Sequence, residues 1–166
     1  MVKKIAPKLP PTGWRKKLWR APITLYHIGL GSLLGRKFLL LNHIGRKSGL
    51  MRQAVLEIDR YDPETNTFFV ASGFGKRSDW YQNILARPDV VIQVGNKRMP
   101  AIAEALSPEQ SGEEMARYAQ AHPRAAANLS SLIGVQVENP ADMAEWRMVG
   151  EEYIPFVALH VQTTDA

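Results

Sequence analysis

The sequence predicts an α+β, mainly β fold, in which a small antiparallel sheet closes or half-closes into a barrel with helices packed at its ends. Short apolar runs predict strands, and helical patterns separate them, in the order three strands, helix, two strands, helices, strand. This order differs from the regular strand–helix alternation of a parallel sheet. The chain has 166 residues and no cysteine, so disulfides and thiolate metal sites are excluded and one hydrophobic core is expected. We therefore predict a single domain over residues 37–166, preceded by a basic segment over residues 1–36.

The first predicted element is an N-terminal helix over Trp14–Leu34, whose first half is basic and carries two tryptophans. Its uncharged stretch has 15 residues. That is about 22 Å at about 1.5 Å per residue, shorter than the roughly 30 Å of a bilayer core. The helix either lies on an anionic membrane surface or packs on the barrel through its apolar residues, which are Leu18, Leu25, Ile28 and Leu33. Because no secretion signal is evident, we expect a cytoplasmic protein, either free or peripheral on the inner face of the cell membrane.

The charge is distributed unevenly along the chain. Twelve of the 21 lysines and arginines precede Glu57, and no acidic residue does. A basic first third indicates an anionic partner, such as a cofactor or a membrane surface. Nucleic acid is not expected, because the segment lacks aromatic residues interleaved on a strand face and any nucleic-acid motif.

The remaining elements are short strands and helices separated by turn residues. A short helix begins at Ser78 or Asp79 and ends before Pro88, and a later one begins where Pro108 follows the N-cap candidate Ser107. A further helix starts at Pro123 and ends at Gly134, before a polar stretch with little periodicity. The predicted strands are Lys37–His43, Gln53–Ile58, Asn66–Ser72, two strands around the Gly95-Asn96 turn, and Ile154–Val161.

The most informative motif is the turn GRKSG, Gly45–Gly49, followed by Arg52. Two glycines allow a tight turn whose N–H groups point outward, and the neighbouring cations and hydroxyl suit a phosphate or a carboxylate. The alternative is an ordinary charged hairpin turn. A second segment, Ser72–Arg77, repeats this chemistry at a strand end, and the helix after it presents Trp80, whose alternative role is in the core.

Other catalytic classes are not indicated. The four histidines, His27, His43, His122 and His160, are far apart and none has a second metal ligand at a suitable spacing, so each is expected to be a surface or hydrogen-bonded core histidine. The sequence contains neither the G-x-S-x-G motif of a serine hydrolase nor a Walker phosphate-binding loop.

The order LLLxxxGRKSGxxR, FFVASGFG and DWYQNILARPDVVIQVG resembles the deazaflavin-dependent nitroreductase and quinone reductase family. The similarity covers roughly Phe38–Pro123 and the closing strand. It implies a split β-barrel of the flavin-reductase and pyridoxamine-phosphate-oxidase type. It also implies an oxidoreductase that transfers hydride from reduced coenzyme F420 to a small acceptor such as a quinone, an enone or a nitro compound. The alternative is a non-enzymatic split-barrel protein that holds a flavin such as FMN, a haem or a lipid.

The resemblance also implies site residues at the matching positions. Arg46, Lys47 and Ser48 would meet the phosphate of the cofactor. The other implied cofactor contacts are Gly49, Arg52, Gln53, Ala54, Val55, Leu56, Ala71, Ser72, Gly73, Trp80, Tyr81 and Asn83. The substrate-side tyrosines of the family are replaced here by a stretch that starts at His122, so His122 is the candidate proton donor, with Tyr118 and Tyr153 as alternatives.

Overall fold

The computed structural model describes residues 1–6, 22–23, 26–29 and 31–163. The strands are Val2–Lys4 (β1), Phe38–Ile44 (β2), Met51–Glu57 (β3), Arg60–Asp62 (β4), Thr67–Ala71 (β5), Asp89–Val94 (β6), Lys97–Ala105 (β7), Val135–Val137 (β8) and Phe156–Val161 (β9). The helices are Asp79–Ala86 (α1), Pro108–Ala121 (α2), Pro123–Leu132 (α3) and Met143–Glu152 (α4), and Gly31–Leu34 and Gly75–Arg77 form 3-10 turns.

Seven strands form one mostly antiparallel sheet in the order β3-β2-β6-β7-β9-β5-β4, which curls into a half-barrel. This confirms the predicted fold. Strand β2 pairs with β3 along its whole length, from Phe38 opposite Glu57 to Ile44 opposite Met51. Its central leucines and their neighbour Ile92 on β6 are fully buried, so an uninterrupted apolar run forms an interior strand.

Residue contacts divide the chain into two compact units. The barrel unit comprises Pro10–Val70, Asp79–Glu104 and Ala158–Ala166, and contains α1 and most of the sheet. The helical unit comprises Met1–Leu9, Ala71–Ser78 and Ala105–Val157, and contains α2, α3 and α4. Within the helical unit, α2 and α4 pack closely at Gly150, where an added Cβ would overlap the backbone of α2.

The start of α2 agrees with its sequence signals. The Ser107 Oγ accepts a hydrogen bond from the Gln110 N–H at 3.1 Å, and the Gln110 Oε1 accepts one from the Ser107 N–H at 2.9 Å. This reciprocal pair is a capping box, and Pro108 fills the first turn, where its missing N–H costs nothing.

Four elements were not predicted, namely β1, β4, β8 and α4. The three strands have three residues each, which is too short to show an alternating pattern, and β1 pairs with the distant β8. In α4, the buried Trp146 lies between Glu145 and Arg147, and the helix ends on Glu151 and Glu152, so its apolar period is weak in the sequence.

The predicted N-terminal helix is wrong at its C-terminal end. The chain turns at Ile28–Gly29, where Gly29 has φ +78°, before the 3-10 turn Gly31–Leu34. Ile28 and Leu33 are 61 % and 72 % exposed, so they do not cover the barrel as one interpretation expected. Tyr26 is buried instead, and its hydroxyl donates to the Phe38 carbonyl at 3.1 Å.

The part of this prediction that concerns a membrane surface, including the tryptophans and Leu18 and Leu25, lies outside the described residues. Among the residues that the structure describes, no helix has both the length and the apolar character needed to cross a bilayer.

Candidate functional site

The predicted phosphate turn connects β2 to β3 and is closed by its own backbone. The Gly45 N–H donates to the Leu50 carbonyl at 2.8 Å, and the Gly49 N–H donates to the Gly45 carbonyl at 2.8 Å. Gly49 has φ +67°, a conformation that favours glycine. A Cβ on Gly45 would lie 2.6 Å from the Ser48 Oγ, so the absence of a side chain at Gly45 makes room for this hydroxyl.

The closed turn leaves several hydrogen-bond donors without protein partners. The Leu50 N–H donates to the Ser48 Oγ at 3.2 Å, so the hydroxyl proton of Ser48 remains available. Within the described part of the chain, the main-chain N–H groups of Lys47 and Ser48 and the exposed side chains of Lys47 and Arg52 have no hydrogen-bond acceptor or ion-pair partner. Two cations, a hydroxyl and two adjacent N–H groups form an arrangement that suits an anion.

The side chain of Arg46, unlike that of Lys47, is hydrogen-bonded to other described residues of the protein. Its Nη1 donates to the Asn83 Oδ1 at 2.9 Å, and its Nη1 and Nη2 lie 3.2 and 3.3 Å from the Asp79 Oδ1. The main-chain N–H of Arg46 also donates to the Asn83 Oδ1, at 3.0 Å. The turn is therefore attached to α1 through both the backbone and the side chain of Arg46.

Asn83 lies in the interior together with His43. Each is only 4 % exposed, and the Asn83 Nδ2 lies 3.1 Å from the His43 Nδ1. The pKa of His43 is lowered to about 4, mainly by burial and also by the nearby Arg52 guanidinium, whereas the Asp79 carboxylate opposes the shift. The imidazole is therefore neutral at neutral pH. His43 agrees with the expectation of a hydrogen-bonded core histidine, but its contact with the site was not predicted.

The aromatic residues of α1 divide between surface and core. Tyr81 is buried, and burial raises the pKa of its hydroxyl. Trp80 is half-buried and meets the Tyr81 ring edge-on, with 6.0 Å between the ring centroids. Ile84, one turn after Trp80, is in the core. The helix therefore contributes to the core through Tyr81 and Ile84 and keeps Trp80 partly exposed.

Strand β3 presents the residues that the resemblance assigns to a cofactor channel. The Gln53 Nε2 donates to the Asn42 Oδ1 at 2.8 Å, and the Gln53 Oε1 lies 2.7 Å from the His27 Nε2. Gln53 thus ties the segment before the barrel to the sheet. The other residues assigned to the channel, Ala54, Val55 and Leu56, are half-buried.

The remaining predicted site residues, Ala71, Ser72, Gly73 and His122, belong to the helical unit. Ser72 is fully buried, and its hydroxyl hydrogen-bonds the Gly75 carbonyl at 2.7 Å and the Ser78 hydroxyl at 2.8 Å. A Cβ on Gly73 would lie 2.9 Å from the Leu129 side chain, so a larger residue would not fit against α3. His122 is exposed between α2 and α3, with its ring 5.4 Å from that of Tyr118.

No group of three or more potential metal ligands occurs in the part of the chain that the structure describes. The barrel unit instead presents exposed donors on a turn that buried polar residues support, an arrangement whose chemistry suits an anion.

Comparison with known proteins identifies a family. The sequence model of the family described as F420H(2)-dependent quinone reductase matches residues 24–140, a range that includes the Gly45–Leu50 turn, α1 and His122. A relative in Mycobacterium tuberculosis, Rv3178, named as a candidate F420H(2)-dependent quinone reductase, is 35 % identical over 74 residues. That match covers 43 % of this chain and 60 % of the relative.

Solved structures share the fold at low sequence identity. An F420-H2 dependent reductase, FDR-A, is similar with a TM-score of 0.50 and 22 % identity, over 75 % of this chain and 95 % of that one. HutZ, the heme storage protein of Vibrio cholerae, has a TM-score of 0.51 and 13 % identity, over 87 % and 91 %. These likenesses support the split-barrel architecture.

Proposed function

The chain belongs to the F420H(2)-dependent quinone reductase family, and from that membership we propose that it transfers hydride from reduced coenzyme F420 to a small acceptor such as a quinone, an enone or a nitro compound. The observation that carries the proposal is the Gly45–Leu50 turn, which lies inside the matched region and exposes several donors that have no partner among the described residues. When bound, the reduced cofactor supplies the hydride, so the protein's task is to bind and orient it.

The residues of the turn fit the chemistry of this cofactor, which carries a phosphodiester and an acidic glutamate tail. We assign the phosphate to the Lys47 ammonium, the Ser48 hydroxyl and the adjacent N–H groups, because these donors lie together on the turn and have no acceptor among the described residues. Arg52 lies on β3 at the exit of the turn, where its guanidinium can pair with a further acidic group.

The first test is a fluorescence titration with F420. We expect saturable binding by the natural chain. Lys47→Ala should weaken it by about tenfold or more, because a hydrogen bond to a charged group contributes about 1.5–3 kcal/mol. The matched control is Lys97→Ala, since Lys97 is exposed at the start of β7, on a different hairpin of the same unit, and should leave the affinity within about twofold.

Two results separate the alternatives. Absence of saturable binding by the natural chain would refute the cofactor assignment. Binding without oxidation of reduced F420 by quinones, enones or nitro compounds would instead identify a non-enzymatic binding protein.

The acceptor also takes up a proton, and we propose His122 as its donor because it is exposed and lies in the matched region. His122→Gln should lower kcat for acceptor reduction while the affinity for F420 remains near that of the natural chain. An unchanged kcat would remove His122 from this role.

The association of the basic N-terminal segment with a membrane remains part of the proposal. Seven cations precede Ala21, and a quinone acceptor dissolved in a membrane would be reached from its surface. Flotation with anionic liposomes at low salt tests this, and absence of flotation there would contradict it.

A further inference from the structure

A buried polar pair lies directly behind the Gly45–Leu50 turn. His43, near the end of β2, and Asn83, on α1, are each 4 % exposed. Polar side chains at this depth are stable only when their hydrogen bonds are made, so the orientation of each group is fixed by its neighbours.

The contacts of Asn83 determine which way its amide points. Its Oδ1 faces two donors, the main-chain N–H and the Nη1 of Arg46, at 3.0 and 2.9 Å. A carbonyl oxygen can accept both bonds, whereas an amide NH2 can accept neither. The NH2 must therefore face His43, whose Nδ1 accepts the bond at 3.1 Å and whose proton is on Nε2.

The same bonds set the position of Arg46. Because one oxygen holds both its main-chain N–H and its guanidinium, Arg46 is drawn toward α1, where Asp79 also meets the guanidinium. Lys47 and Ser48, the next two residues, are exposed, and their main-chain N–H groups have no acceptor among the described residues. The direction of these donors thus depends on a side chain that no ligand needs to touch.

We propose that His43 and Asn83 are positioning residues that hold the Gly45–Leu50 turn in its anion-binding shape, and that Arg46 is the link through which they act and not itself a ligand of the phosphate. This inference rests on the proposed function, since the anion is the phosphate of F420. It predicts that removing the hydrogen-bond acceptor of His43 lowers the affinity for F420, although His43 itself does not contact the phosphate.

The first experiment compares two substitutions of His43 by F420 titration. His43→Phe removes the acceptor and leaves the Asn83 NH2 unpaired, so the dissociation constant should rise by roughly tenfold. His43→Asn keeps an acceptor oxygen close to the position of Nδ1 and should restore most of the affinity. Equal affinity of His43→Phe and the natural chain, or failure of His43→Asn to recover binding, would overturn the proposal.

The second experiment tests whether Arg46 is a link or a ligand. If it acts only through the turn, the His43→Phe, Arg46→Met double variant should bind no more weakly than the weaker single variant. Additive losses would mean that Arg46 contacts the phosphate directly and would contradict this part of the inference. If His43→Phe does not fold, Asn83→Ala takes its place in the same cycle, because it removes the shared oxygen itself.

A third readout requires no cofactor. Hydrogen exchange at the Arg46 main-chain N–H should be slow in the natural chain, faster in His43→Phe and slow again in His43→Asn, because the bond to Asn83 protects this hydrogen. If this exchange pattern is observed but the natural chain does not bind F420, then His43 and Asn83 do hold the turn, and the proposed function is refuted. Fast exchange in the natural chain would refute the support itself.

Discussion

The Gly45–Leu50 turn of the barrel unit and the Ser72–Ser78 segment of the helical unit have nearly the same composition, with two glycines, a lysine, an arginine and serine in each. They use their polar groups differently. In the first, the serine hydroxyl is exposed and keeps its proton available, and buried side chains from other elements supply the support. In the second, Ser72 is buried and its hydroxyl supports the segment from within.

The difference shows that composition alone does not decide which polar groups of a turn stay exposed. A segment that uses a serine hydroxyl for its own hydrogen bonds, as Ser72 does, retains that hydroxyl for structure. A turn supported by residues such as Asn83 can leave its own donors exposed. Three measurements test this contrast.

The largest expected effect comes from acid, because the first turn is supported by His43, whose protonation changes in the acid range. The pKa of His43 is lowered from 6.5 to about 4, so between these values the unfolded chain binds a proton that the folded chain does not. The stabilising contribution of neutral His43 is complete above about pH 6.5 and is lost as the pH falls toward 4, by up to about 3 kcal/mol. Arg52 on β3 favours the neutral form, and Asp79 on α1 opposes it.

Chemical denaturation at a series of pH values measures this contribution. Subtracting the profile of His43→Asn, which does not titrate, removes the effect of the carboxylates. A remaining slope between pH 4 and 6.5 is expected, and parallel profiles would show that His43 does not carry the acid sensitivity. Exchange at the Ser72 N–H, which donates to the Pro155 carbonyl, should show no corresponding change once the intrinsic effect of pH is removed.

The elements that form the site were predictable from the sequence, but the hydrogen bonds that support its turn were not. The Gly45–Gly49 turn, the adjacent strands and α1 were predictable, because glycine spacing, apolar runs and helix caps are local signals. The function of Asn83 as a support and of His43 as its partner was not, because their hydrogen bonds span 37 and 40 residues. Likewise Ser48 and Ser72 look equivalent in the sequence, and only burial separates the exposed hydroxyl from the structural one.

A smaller effect is expected when the two serine hydroxyls are removed in turn. Ser72→Ala leaves the buried Gly75 carbonyl without its side-chain donor and should lower the free energy of unfolding by about 1–3 kcal/mol. Ser48→Ala should change it by less than about 0.5 kcal/mol, because water can replace the hydroxyl at the exposed Leu50 N–H. Denaturant unfolding of the two variants measures both. Equal losses would contradict the contrast between the turns.

The smallest effect concerns a glycine in each segment, Gly49 and Gly75, with φ values of +67° and +72°. At either position the left-handed conformation alone should cost an alanine about 1 kcal/mol, because it disfavours a side chain. A Cβ on Gly49 would meet nothing within 4 Å, whereas one on Gly75 would lie 3.0 Å from the Tyr153 carbonyl. Gly75→Ala should therefore destabilise the chain by about 1 kcal/mol more than Gly49→Ala in denaturant unfolding. Equal losses of unfolding free energy in the two variants would mean that the backbone near Tyr153 shifts to accommodate the added Cβ. The Ser72–Ser78 segment would then be no more tightly packed than the Gly45–Leu50 turn.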